Sequence, residues 1–323
     1  MKQKKIFLTI VFSASIVLET ASQHEAHSKT FSNPQCDDQT TAIQNNVQEL
    51  STPIARNHFF DVDFFDSVAY VYHRKNMEKE LNFIMKNSYW LRAKRLYDQY
   101  TNKVFLKTNS MVRIPKKIHQ IWLGGALPEK YKSLKRSLIK NHPEWEYKLW
   151  TEKEIAAFKL TNQTAYDQSK NYAQKSDIAR YEILFREGGV YIDTDFLCLQ
   201  PLDTFHYNFD FYVAIDNYNA DFTIQNFIIG SIPKHPILAQ AIKTLNIHQN
   251  LYPNYYENIQ FTTGPFHLTK CYKHYISSHF DRSIAFPLSF FSMPPCTSSN
   301  KFDSRCARPE TIGFHYADAS WIT

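Results

Sequence analysis

One segment, residues 176–202, constrains the fold more than any other part of the chain. It opens with apolar side chains at helical spacing and then reaches two consecutive glycines, which favour the end of a helix. After the glycines the pattern changes to a period of two, typical of a strand, and this period places Tyr191, Asp193 and Asp195 on one side. The segment therefore predicts a helix over 173–185, a tight stop and a strand that ends in two carboxylates.

The two carboxylates predict a metal site. Keeping two neighbouring acids ionised at the end of a buried strand costs free energy unless a cation lies between them. A divalent ion with oxygen ligands supplies that charge. An Asp-x-Asp pair by itself is more often a solvated turn. Here Asp177 and Arg180, three apart on one face of the preceding helix, flank the same predicted cleft. We therefore take Asp177, Arg180, Asp193 and Asp195 as the candidate catalytic group.

Strands and helices alternate on both sides of this segment. This order predicts a doubly wound α/β sheet of the nucleotide-binding kind. The 323-residue chain is 43% apolar and 15% aromatic, which is ample for a sizeable core. The predicted elements are strands at 118–123, 146–150, 211–216 and 222–231 and helices at 130–141, 151–158 and 235–245.

The region before residue 111 predicts three parts. Basic residues followed by a short apolar run predict a signal peptide or short signal anchor over 1–22, and a polar stem follows over 23–57. Residues 58–110 predict a helical N-terminal subdomain, and the catalytic domain covers 111–323. The leader favours export or the secretory pathway, in the Golgi lumen, the periplasm or outside the cell. A membrane is expected only through an uncleaved leader or the acceptor.

Charge and cysteine usage leave several readings open. The formal charge of +6 is spread along the chain, and no nucleic-acid motif is present, so no nucleic-acid partner is predicted. The basic residues Arg92, Lys94 and Arg95 suit either a solvated helix face or a helix that docks on an acceptor or a membrane. Cys198 is predicted to be a buried free thiol. The other four cysteines allow disulfides between residues 296 and 306 and between residues 36 and 271.

Three ordered motifs carry a family resemblance. The pattern Ser-Asp-x-x-Arg-Tyr-x-x-Leu, followed by Gly-Gly-Val-Tyr-x-Asp-x-Asp, resembles the signature of DXD-type glycosyltransferases, of the fungal Golgi mannosyltransferase and bacterial capsular sugar transferase type. It is also similar to the catalytic core of large glucosylating bacterial toxins. Residues 114–122 resemble the family's first strand, and 315–321 resemble its closing His…Ser-Trp element. The resemblance implies a GT-A-type, Rossmann-like mixed sheet flanked by helices, with an added N-terminal helical region.

The resemblance also implies an activity. It is metal-dependent, retaining transfer of a hexose from GDP-mannose or a UDP-hexose to a glycan, lipid or protein acceptor, with Mn²⁺ as the first candidate metal and Mg²⁺ as the second. Asp193 and Asp195 would hold the metal, while Asp177 and Arg180 would orient the sugar. The residues assigned to donor binding are Trp122 for the base, Tyr191 and Asn226 for the sugar pocket, and Ser320 and Trp321 for the metal and diphosphate.

Two other functions fit parts of the same pattern. A phosphatase of the haloacid dehalogenase type would use Asp193 as nucleophile and Asp195 as acid, but that class expects Thr or Val where Leu197 stands. A protein of the same fold that binds nucleotide or sugar without turnover would keep every residue named above. His119 has no partner visible in the sequence and is predicted to be structural.

Overall fold

The computed structural model describes residues 60–74, 78–101, 111–218, 221–248, 255–292, 302 and 304–318. All of them fall within one compact unit, 42–323. The predicted leader, the stem, and the donor-binding candidates Ser320 and Trp321 lie outside the described residues. None of the helices that the structure describes is long and apolar enough to span a bilayer.

Helices and strands alternate through most of the described chain. The helices are α1 (Phe64–Arg74), α2 (Glu78–Ile84), α3 (Ser88–Thr101), α4 (Glu129–Asn141), α5 (Glu152–Phe158), α6 (Gln163–Gln168), α7 (Tyr172–Glu187), α8 (Asp203–Asn208), α9 (Pro236–Thr244), α10 (Tyr255–Thr262) and α11 (Pro265–Ile276). The strands are β1 (Lys117–Ile121), β2 (Glu146–Trp150), β3 (Gly189–Ile192), β4 (Phe196–Cys198), β5 (Phe211–Tyr218), β6 (Asp221–Ser231), β7 (Ser283–Pro287) and β8 (Gly313–His315).

Six strands form the main sheet in the order β2-β1-β3-β6-β5-β7. Strands β2, β1 and β3 run parallel, β6 is antiparallel to both β3 and β5, and β7 is parallel to β5. Strands β4 and β8 form a separate two-stranded antiparallel sheet. The predicted fold class, a mixed α/β sheet flanked by helices, is confirmed.

The predicted helix and glycine stop are confirmed in α7 and β3. Asn171 caps α7 by accepting a hydrogen bond from the Ala173 N–H, and Gly188 ends the helix at a φ of 64°. A Cβ on Gly188 would lie 2.7 Å from the Cδ of Pro233, so a side chain has no room there. Glycine therefore satisfies both the positive φ and the close packing at this turn.

The prediction that one strand runs through both acids is wrong. Strand β3 ends at Ile192, whose pairing partner on β6 is Ile228, and Asp193 begins a turn. The chain then leaves the main sheet, because β4 pairs with β8 instead. The two acids thus lie in a turn between two sheets. Tyr191 and Asp193 nevertheless share a side, as the period of two predicted, since the Tyr191 hydroxyl donates a 2.7 Å hydrogen bond to Asp193 Oδ1.

Helices α1 to α3 occupy the stretch predicted to be helical. Phe64, Trp90 and Tyr97 are buried in the same apolar cluster as the sheet strands, and α3 packs beside β7. The boundaries at 58 and 110 lie outside the described residues, so the division into an N-terminal subdomain and a catalytic domain stays a prediction.

His119 and the cysteines are structural. His119 Nε2 donates to the Gly188 carbonyl at 2.9 Å and Nδ1 accepts from Trp150 Nε1 at 3.1 Å, while burial lowers its pKa to about 4. Cys198 and Cys271 are buried free thiols, so the pairing of Cys271 with residue 36 is wrong. Cys306 is disulfide-bonded, and residue 296, its predicted partner, lies outside the described residues.

Candidate functional site

A cleft with a volume of about 610 Å³ opens where β1 and β3 end. Its walls come from α7, the acid turn after β3, strand β6, the turn between α10 and α11, and the residues around β8. Most of the candidate residues that the sequence singles out line this one cleft. They are Trp122, Asp177, Arg180, Tyr191, Asp193, Asp195 and Asn226.

Asp193, Asp195 and His315 form a cluster suited to a metal ion. One side-chain ligand atom from each lies within 4.8 Å of the others. His315 Nε2 is 3.1 Å from Asp195 Oδ1 and 3.7 Å from Asp193 Oδ2. His315 belongs to the closing motif of the sequence, which indicates no role for it, because its approach to the acids depends on pairing between β4 and β8. In that pairing Phe196, which follows the acid turn, lies opposite His315.

The charges in this cluster balance one another. Burial raises the pKa of Asp193, and the nearby Asp195 carboxylate adds to that rise. Burial alone would raise the pKa of Asp195 too, but His315 and the Asp318 N–H, 2.8 Å from Asp195 Oδ2, outweigh it and lower that pKa. Burial alone would lower the pKa of His315, yet the two carboxylates raise it. The raised pKa of His315 therefore favours the protonated imidazole, which carries positive charge between the acids.

This donor set fits a divalent metal ion. Carboxylate oxygens suit Mn²⁺ and Mg²⁺, and an imidazole nitrogen is a common ligand of transition metals, so two carboxylates with one histidine favour Mn²⁺. The ring of Phe227 stacks on the His315 ring with centroids 4.1 Å apart and an angle of 12° between planes. That contact fixes the orientation of the imidazole, and an ion at the cluster would take the place of its proton.

Asp177 lies in a second group of polar residues, which is fully hydrogen-bonded. Its Oδ1 accepts from Asn226 Nδ2 at 2.8 Å, and its Oδ2 accepts from Thr263 Oγ1 at 3.0 Å. Arg180 Nη1 donates to the Asn226 carbonyl at 2.7 Å, and its Nη2 lies 3.3 Å from Asp177 Oδ1. Burial raises the pKa of Asp177 to about 6 despite the opposing charge of Arg180. Asn226 thus holds both charged residues, through its side chain and its backbone.

Arg180 connects this group to the metal-type cluster. Its Nη1 lies 3.4 Å from Asp193 Oδ1, and its guanidinium carbon lies 4.3 Å from the centroid of the Tyr191 ring. Gln120 Nε2 donates to the Asp193 carbonyl at 3.1 Å, which holds the backbone of the acid turn. The side chains assigned to sugar orientation and to metal binding therefore share one continuous set of contacts.

Trp122 lines the cleft after β1. Its ring packs against Tyr131 with centroids 5.0 Å apart, and its buried Nε1 finds no hydrogen-bond partner within the described part of the chain. Gly124 follows at a φ of 90°, and a Cβ there would lie 2.7 Å from Tyr172 Cε2. The backbone after β1 thus lies directly against an aromatic ring. Stacking of a nucleotide base on Trp122 stays a prediction.

An Asp-x-Asp turn at the end of a parallel strand, facing a cleft in a mixed sheet, is the arrangement that the resemblance to DXD-type glycosyltransferases predicts. Residues 128–212 match the family model described as the glycosyltransferase sugar-binding region containing the DXD motif. The matched region includes α4 to β4 and therefore both acids. The predicted resemblance is confirmed by this match, which covers residues 128–212.

Named relatives agree with that class. The chain is 32% identical over 176 residues to inositol phosphoceramide mannosyltransferase 3 of Schizosaccharomyces pombe, covering 53% of this chain and 48% of that protein. It is 32% identical over 166 residues to mannosyl phosphorylinositol ceramide synthase SUR1 of Saccharomyces cerevisiae, covering 50% and 42%. The chain thus spans about half the length of these curated relatives. Among solved structures, the catalytic domain of alpha-toxin from Clostridium novyi aligns with a TM-score of 0.42 at 10% identity, covering 92% of this chain and 95% of that one.

Proposed function

We propose that this protein is a metal-dependent, retaining glycosyltransferase that moves a hexose from a nucleotide sugar to a lipid acceptor. The observation that carries the proposal is the cluster of Asp193, Asp195 and His315 at the edge of the cleft. Mannose is the first candidate sugar and GDP-mannose the first candidate donor, since relatives are named as mannosyltransferases. Their names also specify an inositol phosphoceramide, which supports a lipid acceptor over a glycan or protein.

The metal-binding residues would stabilise the leaving group. A divalent ion, when bound, supplies positive charge to the diphosphate as it departs from the sugar. Asp193, Asp195 and His315 would hold that ion, with Mn²⁺ preferred over Mg²⁺ because of the imidazole. The Asp318 N–H and the Phe227 ring keep two of these ligands in place before the donor arrives. Ser320 and Trp321, outside the described residues, are proposed to contact the diphosphate.

Asp177 and Arg180 would orient the sugar from the hydrogen-bonded group. Each carboxylate oxygen of Asp177 already accepts one hydrogen bond and keeps a second lone pair for a sugar hydroxyl. The resemblance to DXD-type glycosyltransferases supports transfer without a covalent bond between the enzyme and the sugar. This supports attack by the acceptor on the same face that the diphosphate leaves, which retains the anomeric configuration. Tyr191 lines the pocket and Trp122 stacks on the base.

The phosphatase alternative is disfavoured. That class expects Thr or Val where Leu197 stands, and the family model that residues 128–212 match describes a glycosyltransferase region. A turnover assay with nucleotide-sugar donors distinguishes an enzyme from a non-catalytic binding protein of the same fold. The predicted leader supports action in the secretory pathway.

A donor panel tests the proposal. The full chain is incubated with GDP-mannose, UDP-glucose and UDP-galactose, with and without Mn²⁺, and released nucleoside diphosphate is measured. Metal-dependent release from one donor, lost in Asp195→Asn and kept in the exposed-carboxylate control Asp167→Asn, is the expected result. Release of phosphate from a generic phosphomonoester without any from the donors would favour the phosphatase. Nucleotide binding with no turnover of any donor would favour the non-catalytic protein.

A further inference from the structure

The hairpin formed by the end of α2, the turn after it and the first turn of α3 exposes three large apolar side chains. Phe83 is 55% exposed, Met85 44% and Leu91 45%. The turn is short and well defined, because the Met85 N–H donates to the Leu81 carbonyl and Asn87 Oδ1 accepts from the first N–H groups of α3. Apolar side chains exposed singly are normal, but three within nine residues at one helical turn form a local apolar surface.

The same turn is strongly basic. From Leu81 to Tyr97 the chain carries four cationic residues and no acid. Lys94 is neutralised by Asp63 and Asp98, but Lys86 and Arg95 are exposed and form no ion pair among the described residues. We define the hairpin patch as Phe83, Met85, Lys86, Leu91 and Arg95. Apolar side chains flanked by exposed cations are the combination that binds the interface of an anionic bilayer.

The basic helix α4 lacks this combination. It exposes one large apolar side chain, Ile139 at 42%. Its cations are largely paired, since Lys132 and Arg136 contact Glu129 and Lys130 contacts Asp318 at 2.6 Å. A basic helix is thus not sufficient in this protein to form such a patch, and α4 offers a matched control.

The first turn of α3 packs against the strand that forms one wall of the cleft. The rings of Tyr89 and Trp90, in the first turn of α3, pack against Phe222 with centroids 6.0 and 5.5 Å away. Phe222 is followed on β6 by Thr223, which lines the cleft. The first turn of α3 is therefore joined to the cleft wall through one buried phenylalanine.

We propose that the hairpin patch docks this protein on the surface of an anionic phospholipid membrane. Phe83, Met85 and Leu91 enter the boundary between headgroups and acyl chains, and Lys86 and Arg95 contact the anionic headgroups. Docking depends only on this surface. Its consequence, that a lipid acceptor reaches the cleft directly from the bilayer, rests on the proposed function.

Vesicle binding tests the docking. The full chain and its variants are sedimented with vesicles of phosphatidylcholine alone or mixed with phosphatidylserine. The affinity of Phe83→Asp/Leu91→Asp for the anionic vesicles should be at most about one tenth of the wild-type affinity. Lys86→Glu/Arg95→Glu should lose the preference for anionic over neutral vesicles, and Ile139→Asp should bind like wild type. Equal binding by all variants, an equal loss in Ile139→Asp, or no anionic preference in wild type would overturn the proposal.

Hydrogen exchange distinguishes membrane binding through the hairpin patch from binding through the predicted leader, which every variant carries. Anionic vesicles should slow amide exchange in residues 83–95 of wild type and leave α4 unchanged. Protection confined to other segments contradicts docking by the hairpin patch. Release of nucleoside diphosphate from a soluble donor should be the same in Phe83→Asp/Leu91→Asp and wild type, so loss of docking is distinguishable from failure of the proposed transferase activity.

Discussion

Two neighbouring groups of charged residues in the cleft compensate the negative charge of buried carboxylates in different ways. Around Asp177, protein donors satisfy each carboxylate oxygen, and the buried Arg180 supplies the positive charge. Around Asp193 and Asp195 two carboxylates face each other, and the positive charge beside them comes from His315 and, at Asp193, also from Arg180. The first group is complete within the protein, whereas the second is exchangeable, because a bound divalent ion would take the place of the imidazole proton. The predictions below separate these two roles.

Replacing Arg180, the cation of the group around Asp177, should have the largest effect on stability. Arg180→Met leaves Asp177 and Asp193 buried without their shared positive charge, so the free energy of unfolding should fall by about 3–5 kcal/mol. Urea unfolding at neutral pH measures it. Arg136→Met removes an exposed arginine that pairs with Glu129 and should cost less than about 1 kcal/mol. A similar decrease in the free energy of unfolding in both variants would show that Arg180 stabilises the fold no more than an exposed arginine does.

The carboxylate of Asp177 should make stability depend on pH. Its pKa is raised from 3.8 to about 6 in the folded protein, so the folded state binds a proton over a range where the unfolded chain has lost it. This contribution is complete below the unfolded pKa and lost as pH rises through about 6, which amounts to about 3 kcal/mol. Asp177→Asn removes it. Wild type should therefore lose stability relative to the variant between pH 4 and pH 7, and a constant difference would contradict the raised pKa.

The exchangeable group should respond in metal affinity instead. His315→Gln keeps a polar side chain near Asp195 but removes the imidazole ligand. The affinity for Mn²⁺ should therefore fall about a hundredfold or more, which exceeds the loss expected for a residue that only hydrogen-bonds to a metal ligand. Calorimetric titration with Mn²⁺ measures the change. His274→Gln, at an exposed histidine on α11, should titrate like wild type. Unchanged affinity in His315→Gln would remove His315 from the metal site.

The smallest effect should come from a single hydrogen bond in the complete group. Thr263→Val keeps the shape of the side chain and removes the hydroxyl that donates to Asp177 Oδ2, at a cost of about 1–2 kcal/mol. The cost should be larger at pH 7.5 than at pH 4.5, because the hydroxyl stabilises the charged carboxylate. Unfolding at both pH values tests this. An equal cost at the two values would mean that the valine acts through packing alone.

Much of the fold followed from local patterns. The helix before the acids and its glycine end depend on residues close in sequence, and each is present as predicted. Tyr191 and Asp193 share a side for the same reason, because a strand alternates its side chains. These features needed no knowledge of distant partners.

The parts that escaped prediction depend on distant partners. Strand β3 ends early because β4 pairs with residues 313–315, which a local period cannot show. His315 joins the acids through that same pairing. Asn226 was assigned to the sugar pocket, yet its amide and carbonyl hold Asp177 and Arg180, an arrangement that only the three-dimensional packing of β6 against α7 reveals.

The long reach of the β4–β8 pairing also dictates when the site can form. The backbone contact between Asp318 and Asp195 spans 123 positions, and contacts this distant form only after the intervening chain has been made. A ribosome-bound chain that has already exposed both acids still lacks its histidine. During synthesis the acid turn is therefore an incomplete ligand set until residues 313–318 have been made and β8 has paired with β4.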